Sequence, residues 1–160
     1  MTLLPGDIAL IHFGTPWGLV GLPIRMFQLV LYVYKNGLPS FSELKRMLWE
    51  DPYHVEMVWD VTKRGYKALT MQPPVLAVVE RNPADLKMIV YRLKYQLDDL
   101  QDIFWIYFNE KIGHEFYGPD GACGWIVRNF YRDEFNIKMP LYPASIKKFC
   151  KKSNKFVRII

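Results

Sequence analysis

Apolar and polar positions along the chain change period twice. Residues 8–13 are apolar with little interruption, between a Leu4-Pro5-Gly6-Asp7 turn and Gly14, and they predict a short strand. Helical spacing takes over at about residues 18–35 and stops at Asn36-Gly37, a pair suited to ending a helix. Ser40-Phe41-Ser42-Glu43 carries the residues to cap a second, short helix running through Trp49. Alternation then returns. Residues 54–61 and 66–72 flank the turn Thr62-Lys63-Arg64-Gly65 and predict a hairpin, which Pro73-Pro74 breaks before residues 75–79 continue extended. Residues 87–94 alternate again, with Met88, Val90 and Arg92 on one face and Ile89, Tyr91 and Leu93 on the other.

Beyond that strand Leu97, Leu100, Ile103, Phe104, Tyr107 and Phe108 recur at helical spacing, and Asp98, Asp99 and Asp102 fall in the first turns, where carboxylates suit the helix dipole. A third long helix, residues 123–135, would bury Ile126, Val127, Phe130 and Tyr131. Pro143-Ala144-Ser145 opens a short last helix, and residues 155–160 alternate as a terminal strand. Strands gather in the first half and helices in the second. The pattern predicts an α+β fold, an antiparallel sheet of about five strands with helices packed on one face.

Composition narrows the class. At 160 residues, 51% apolar and 16% aromatic, the chain is sized for a single domain over residues 1–160 with a real core, far from the signature of disorder. Net charge is +5, and much of the excess sits near the end at Lys147, Lys148, Lys151, Lys152, Lys155 and Arg158. A short basic C-terminal segment of this kind suits either an anionic surface, phosphate or acidic partner, or simply a solvated helix face. No nucleic-acid-binding motif accompanies it. Two cysteines make no disulfide framework, and neither CxxC nor HxxxH spacing points to a metal, so no cofactor is expected. The longest apolar run, residues 17–34, is interrupted by Pro23, Arg25 and Gln28, which suits a buried or interfacial helix better than a spanning one. With no signal-peptide pattern at Met1, a cytoplasmic location is the expectation.

The candidate chemistry is an ordered pair. His54 opens an apolar strand after a turn, and Cys123 lies between Gly121 and Gly124 at the start of an amphipathic helix. A thiol there meets the positive end of the helix dipole and free N–H groups. This predicts a Cys123 that titrates below roughly 8.5 and acts as a nucleophile, with an imidazole as its base. The plain alternative is a core cysteine, since free cysteine is among the most buried residue types. Cys150, in a lysine-rich helix beside Phe149, reads as structural. Glu56 shares a strand face with His54, where it either steadies the ring or pairs with a lysine at the rim. His12 and His114 have no ligand spacing, although His114 is near enough in sequence to Cys123 to rival His54. The tryptophans at 17, 49, 59, 105 and 125 read as core, with Trp125 the one placed to line a cleft beside Cys123.

Four segments together carry a family resemblance over almost the whole chain. They are Leu4-Pro5-Gly6-Asp7-Ile8-Ala9-Leu10, the amphipathic segment 18–35, Tyr53-His54-Val55-Glu56-Met57-Val58, and Gly113-His114-Glu115-Phe116-Tyr117-Gly118 leading to the cysteine-headed helix. The chain resembles the circularly permuted branch of the NlpC-type, papain-like cysteine hydrolases, a group that includes lecithin–retinol acyltransferase-like proteins and in which the histidine precedes the cysteine. The resemblance implies a permuted papain-like topology and a thioester mechanism with Cys123 as nucleophile and His54 as base. Its implied substrates are peptide or cell-wall amides first and acyl esters second. It also implies a tyrosine near the thiol, here Tyr117, and a third polar residue on the strand after the histidine strand, where Thr70 and Gln72 stand. The chain departs from the pattern in having Glu56 where a small residue is common, Gly124 where serine often follows the cysteine, and no charged third residue. The wording of the histidine strand resembles bacteriophage members. The alternative that follows is a virion component of the same fold, catalytically weak or inactive and bound to other virion proteins.

Overall fold

The computed structural model describes residues 2–12, 21–72, 75–94, 99–116 and 122–160. The expectations that fall on Phe13, Gly14, Trp17, Pro73-Pro74, Leu97, Asp98 and Tyr117 lie outside them. The elements in order are β1 (Ile8–His12), α1 (Gly21–Asn36), α2 (Phe41–Lys45), β2 (His54–Thr62), β3 (Gly65–Gln72), β4 (Val75–Arg81), β5 (Lys87–Leu93), α3 (Leu100–Asn109), α4 (Gly124–Phe135), α5 (Pro143–Lys152) and β6 (Phe156–Arg158). The class is α+β, as the period changes predict. The antiparallel sheet has six strands rather than about five, in the order β4-β3-β2-β1-β5-β6. The terminal strand expected over residues 155–160 forms as β6, whose three residues pair with β5, Phe156 opposite Leu93, and it brings the sheet to six.

β1 lies between β2 and β5, and it is buried along its whole length because Ile8 and Leu10 enter the main cluster on one face while Ala9 and Ile11 enter a smaller cluster on the other. A strand covered on both faces loses alternation and becomes a continuous apolar run, which is how residues 8–13 read. The turn before it is fixed by a bidentate pair. Arg92 Nε and a terminal guanidinium nitrogen donate to Asp7 at 2.8 and 2.7 Å, and the Leu4 N–H donates to the same carboxylate at 2.9 Å.

The main core lies on one face, where Ile8, Leu10, Val55, Met57, Leu69 and Leu76 of the sheet meet Phe104 and Phe108 of α3, Ile126, Val127, Phe130 and Tyr131 of α4, and Ile146 and Cys150 of α5. The Tyr131 hydroxyl donates to the Gly6 carbonyl at 3.0 Å and fastens α4 to the β1 turn. A smaller cluster on the other face joins Ala9, Ile11, Val58, Tyr66, Ala68 and Val90, and among the described residues no helix contributes to it.

The segment after Ser40 differs from expectation in a way that has a cause. The capping box forms, Glu43 N–H to Ser40 Oγ at 3.4 Å and Ser40 N–H to Glu43 Oε2 at 2.9 Å. The α-helix nevertheless gives way after Lys45 to a π-turn, Arg46–Glu50, closed by Asp51 N–H to the Arg46 carbonyl at 2.9 Å. Arg25 of α1 donates to the carbonyls of Met47 and Leu48, so these oxygens are satisfied from outside the helix and the ladder is free to widen. Among the described residues, no helix is long and apolar enough to cross a membrane.

Candidate active site

β2 and β3 build one half of the site. Strand alternation puts His54, Glu56, Tyr66 and Thr70 on the same face of the hairpin. The His54 Nε2 atom and Thr70 Oγ1 are 2.7 Å apart, so Thr70 holds the ring. Glu56 Oε2 lies 3.7 Å from the same nitrogen. Gln72, two residues further along the face, is exposed at the end of β3. Of the three polar residues considered for orienting the imidazole, the structure brings Thr70 and Glu56 to it.

Glu56 is not a rim carboxylate paired with a lysine. Its side chain is fully buried, accepting from the Tyr66 hydroxyl at 2.7 Å and from Arg81 Nε and a terminal nitrogen at 3.2 and 3.1 Å. A carboxylate inside a β-sheet needs such partners, because an unpaired buried charge costs several kcal/mol. The register explains how they arrive: Tyr66 of β3 stands directly opposite Arg81 of β4. Sequence reasoning missed Tyr66 and Arg81. The signal was a Glu in the middle of Val-Glu-Met-Val, which calls for a cation from a neighbouring strand.

α4 carries the other candidate residue, and among the described residues no hydrogen bond joins Cys123 to His54. Cys123 occupies its N-cap position in helical conformation, φ −56° and ψ −30°, with no side-chain cap of the helix. The thiol is half-buried, and the backbone N–H groups of Val55, Gly124 and Cys123 are near enough to favour its charged form. Val55 follows His54 in β2, so the start of α4 lies near the His54 end of that strand. Gly124, where a serine was the common alternative, has no room for any side chain. A Cβ there would fall on the Leu141 carbonyl and press on Ile146 Cδ1.

Electrostatics correct one expectation. Burial pushes the Cys123 thiol up from its ordinary value, and the Glu56 charge adds to the rise. The three N–H donors lower it without reversing the outcome. Burial also lowers His54 to about 4, with the Arg81 charge as the second cause. Both shifts favour the uncharged form, so the resting pair is thiol and neutral imidazole, not thiolate and imidazolium. In the tautomer with its proton on Nε2, directed at Thr70, Nδ1 is the basic nitrogen.

The remaining residues take structural places. Trp125 is 8% exposed and packs on Phe116 with ring centroids 4.4 Å apart, inside the main core. Cys150 is buried among the same residues, its thiol pushed up to about 12 by burial. His114 is exposed, and its carbonyl accepts the Leu76 N–H of β4 at 3.2 Å. Among the described residues no cluster of three His, Cys, Asp or Glu side chains is placed to hold a metal ion. No family model, curated protein or solved structure matches the chain.

Proposed function

We propose that this protein is a thiol-dependent hydrolase that opens an amide or acyl-ester bond through a thioester. The observation that carries the reading is a half-buried Cys123 at the start of α4, its thiol influenced by the Val55 N–H, with His54 the preceding residue of β2 and its Nε2 held by Thr70 at 2.7 Å. In this reading Nδ1 of His54 takes the thiol proton as sulfur attacks the carbonyl. The C–O or C–N bond then breaks as the imidazolium returns that proton to the leaving group. As the thiol is consumed in the attack, the Cys123 N–H at the helix start turns to the developing oxyanion. Water, activated by the same nitrogen, releases the acyl group and restores the thiol. A permuted NlpC-type topology is part of the proposal, as is a preference for peptide or cell-wall amides over acyl esters.

A neutral resting pair bears on rate. Proton transfer has to accompany attack, since no thiolate is stored beforehand. The second reading, a catalytically weak or inactive binding module such as a virion component, draws its support from that neutrality and from the uncharged Thr70 at the orienting position.

Turnover of a panel of peptidoglycan peptides and acyl esters tests the choice. Cys123→Ser alters one atom, and serine's far higher pKa makes it a poor nucleophile for a weak base. Activity should fall by about a thousandfold or more while the melting temperature stays within a few degrees of the parent. Retained activity in the variant, or no turnover by the parent on any member of the panel, favours the binding module.

A further inference from the structure

α1 has two unlike faces. Arg25, Gln28 and Tyr32, at helical spacing, line a cavity of about 840 Å³ between α1, the π-turn and α5. Phe27, Val30 and Tyr34 point the opposite way and are exposed. The volume is in the range of small-molecule sites, roughly 300–1,000 Å³, and well beyond a single small ion.

Charge in this cavity is unbalanced. Six cations line it, Arg25, Arg46, Lys147, Lys148, Lys151 and Lys152, against two carboxylates, Glu50 and Asp51. Asp51 is already shared between Arg46 at 3.4 Å and Lys147 at 3.9 Å. Arg25 is 4% exposed and is satisfied by carbonyls, not by a carboxylate. Among the described residues Lys148, Lys151 and Lys152 form no ion pair. Tyr142, Ala144 and Ser145 of the α5 start line the same space, and that helix has no side-chain cap, so its first-turn N–H groups add to the positive potential. The field is felt nearby. His12 is buried with no hydrogen bond to Nε2 among the described residues, and it is lowered to about 4 by burial and then by Lys147, Lys87 and Arg25.

We propose that this cavity, separate from Cys123 and His54, binds a ligand carrying two or more phosphate charges. Lysine and arginine donate only, so the ligand must supply acceptors alone. A net lining charge of four needs more than one phosphate to balance it. The phosphates reach the site either on a soluble ester or as a lipid headgroup, and the bare apolar face of α1 beside the cavity makes the second source a necessary arm of the test. Nothing in the proposal depends on catalysis by Cys123.

Sodium tripolyphosphate, followed by calorimetry, probes the soluble source. Flotation with phosphatidylcholine vesicles, with and without cardiolipin, probes the headgroup. Lys148→Ala/Lys151→Ala changes two exposed side chains and should weaken binding of the engaged probe by about tenfold or more. Lys63→Ala/Arg64→Ala, an equal charge loss on the β2–β3 turn, should leave it within about twofold. Tripolyphosphate binding with this pattern assigns a soluble ligand, and cardiolipin-dependent flotation with this pattern assigns a lipid headgroup. Failure of the parent to bind either probe, or an equal loss in the two double variants, overturns the proposal.

Discussion

Burial acts on Cys123 and His54 in opposite directions and to one effect. It raises the acid and lowers the base, and each change removes a charge from a low-dielectric place. The helix start was the reason to expect a low thiol, yet a fractional dipole charge and three N–H donors do not outweigh desolvation of a whole charge. The orienting contact is therefore the adjustable one. Thr70→Val keeps the volume and removes the hydroxyl that meets Nε2 at 2.7 Å. Leaving that ring nitrogen without its partner costs about 1–3 kcal/mol, which should appear as a loss of roughly tenfold to a hundredfold in kcat with little change in KM. A Thr70→Ser variant should recover most of the rate. Equal loss in both variants would show that the methyl, not the hydroxyl, is what the ring uses.

At the scale of elements, the link between α4 and the loop it packs against is the most restrictive. Gly124→Ala puts a methyl on the Leu141 carbonyl, which is backbone and has no rotamer to yield. Either α4 or the 140–142 segment must move, and the fully buried Ile126, Phe130 and Tyr131 resist that movement. The variant should lose about 3 kcal/mol or more in urea melts, and its Cys123 should label at a changed rate because the N-cap moves with the helix. A stability within about 0.5 kcal/mol of the parent would mean that the contact is absent in solution. The same element shows what was legible beforehand. The helix over 124–135 and its buried Ile126, Val127, Phe130 and Tyr131 follow from 3.6-residue spacing alone. The reason for Gly124 does not, because its constraint comes from Leu141, far along the chain. The π-turn at Arg46–Glu50 was hidden for the same kind of reason: its widening depends on Arg25 of another helix.

For the whole molecule, local periodicity was enough to read the class and most strands, since each strand face answers to a burial pattern within its own segment. The order β4-β3-β2-β1-β5-β6 and the Glu56–Tyr66–Arg81 network were not readable, because they are cross-strand facts. The network could be suspected only from a carboxylate in an apolar strand. Stability of the whole fold carries a mark of two histidines, His12 buried and His54 half-buried. His12 and His54 are each lowered to about 4 when folded, against 6.5 in the unfolded chain. Between those values the unfolded chain binds more protons. Stability is thus full above about pH 6.5 and falls as pH drops toward 4, by at most about 1.4 kcal/mol per pH unit for each histidine. Urea melts across that window should show the slope, and His54→Gln should remove about half of the histidine part. A flat profile would mean that both rings are protonated in the native state.

In the proposed mechanism His54 activates Cys123 although neither is charged at rest. Iodoacetamide labelling from pH 6 to 10, mapped by mass spectrometry in the parent and in His54→Ala, tests it most directly. Cys150 serves as the internal reference, being 1% exposed with its thiol pushed up to about 12. Cys123 should label at least about tenfold faster than Cys150, its rate should keep climbing through pH 9 with no plateau at low pH, and His54→Ala should slow it by about tenfold. A Cys123 rate unaltered in His54→Ala would contradict that mechanism.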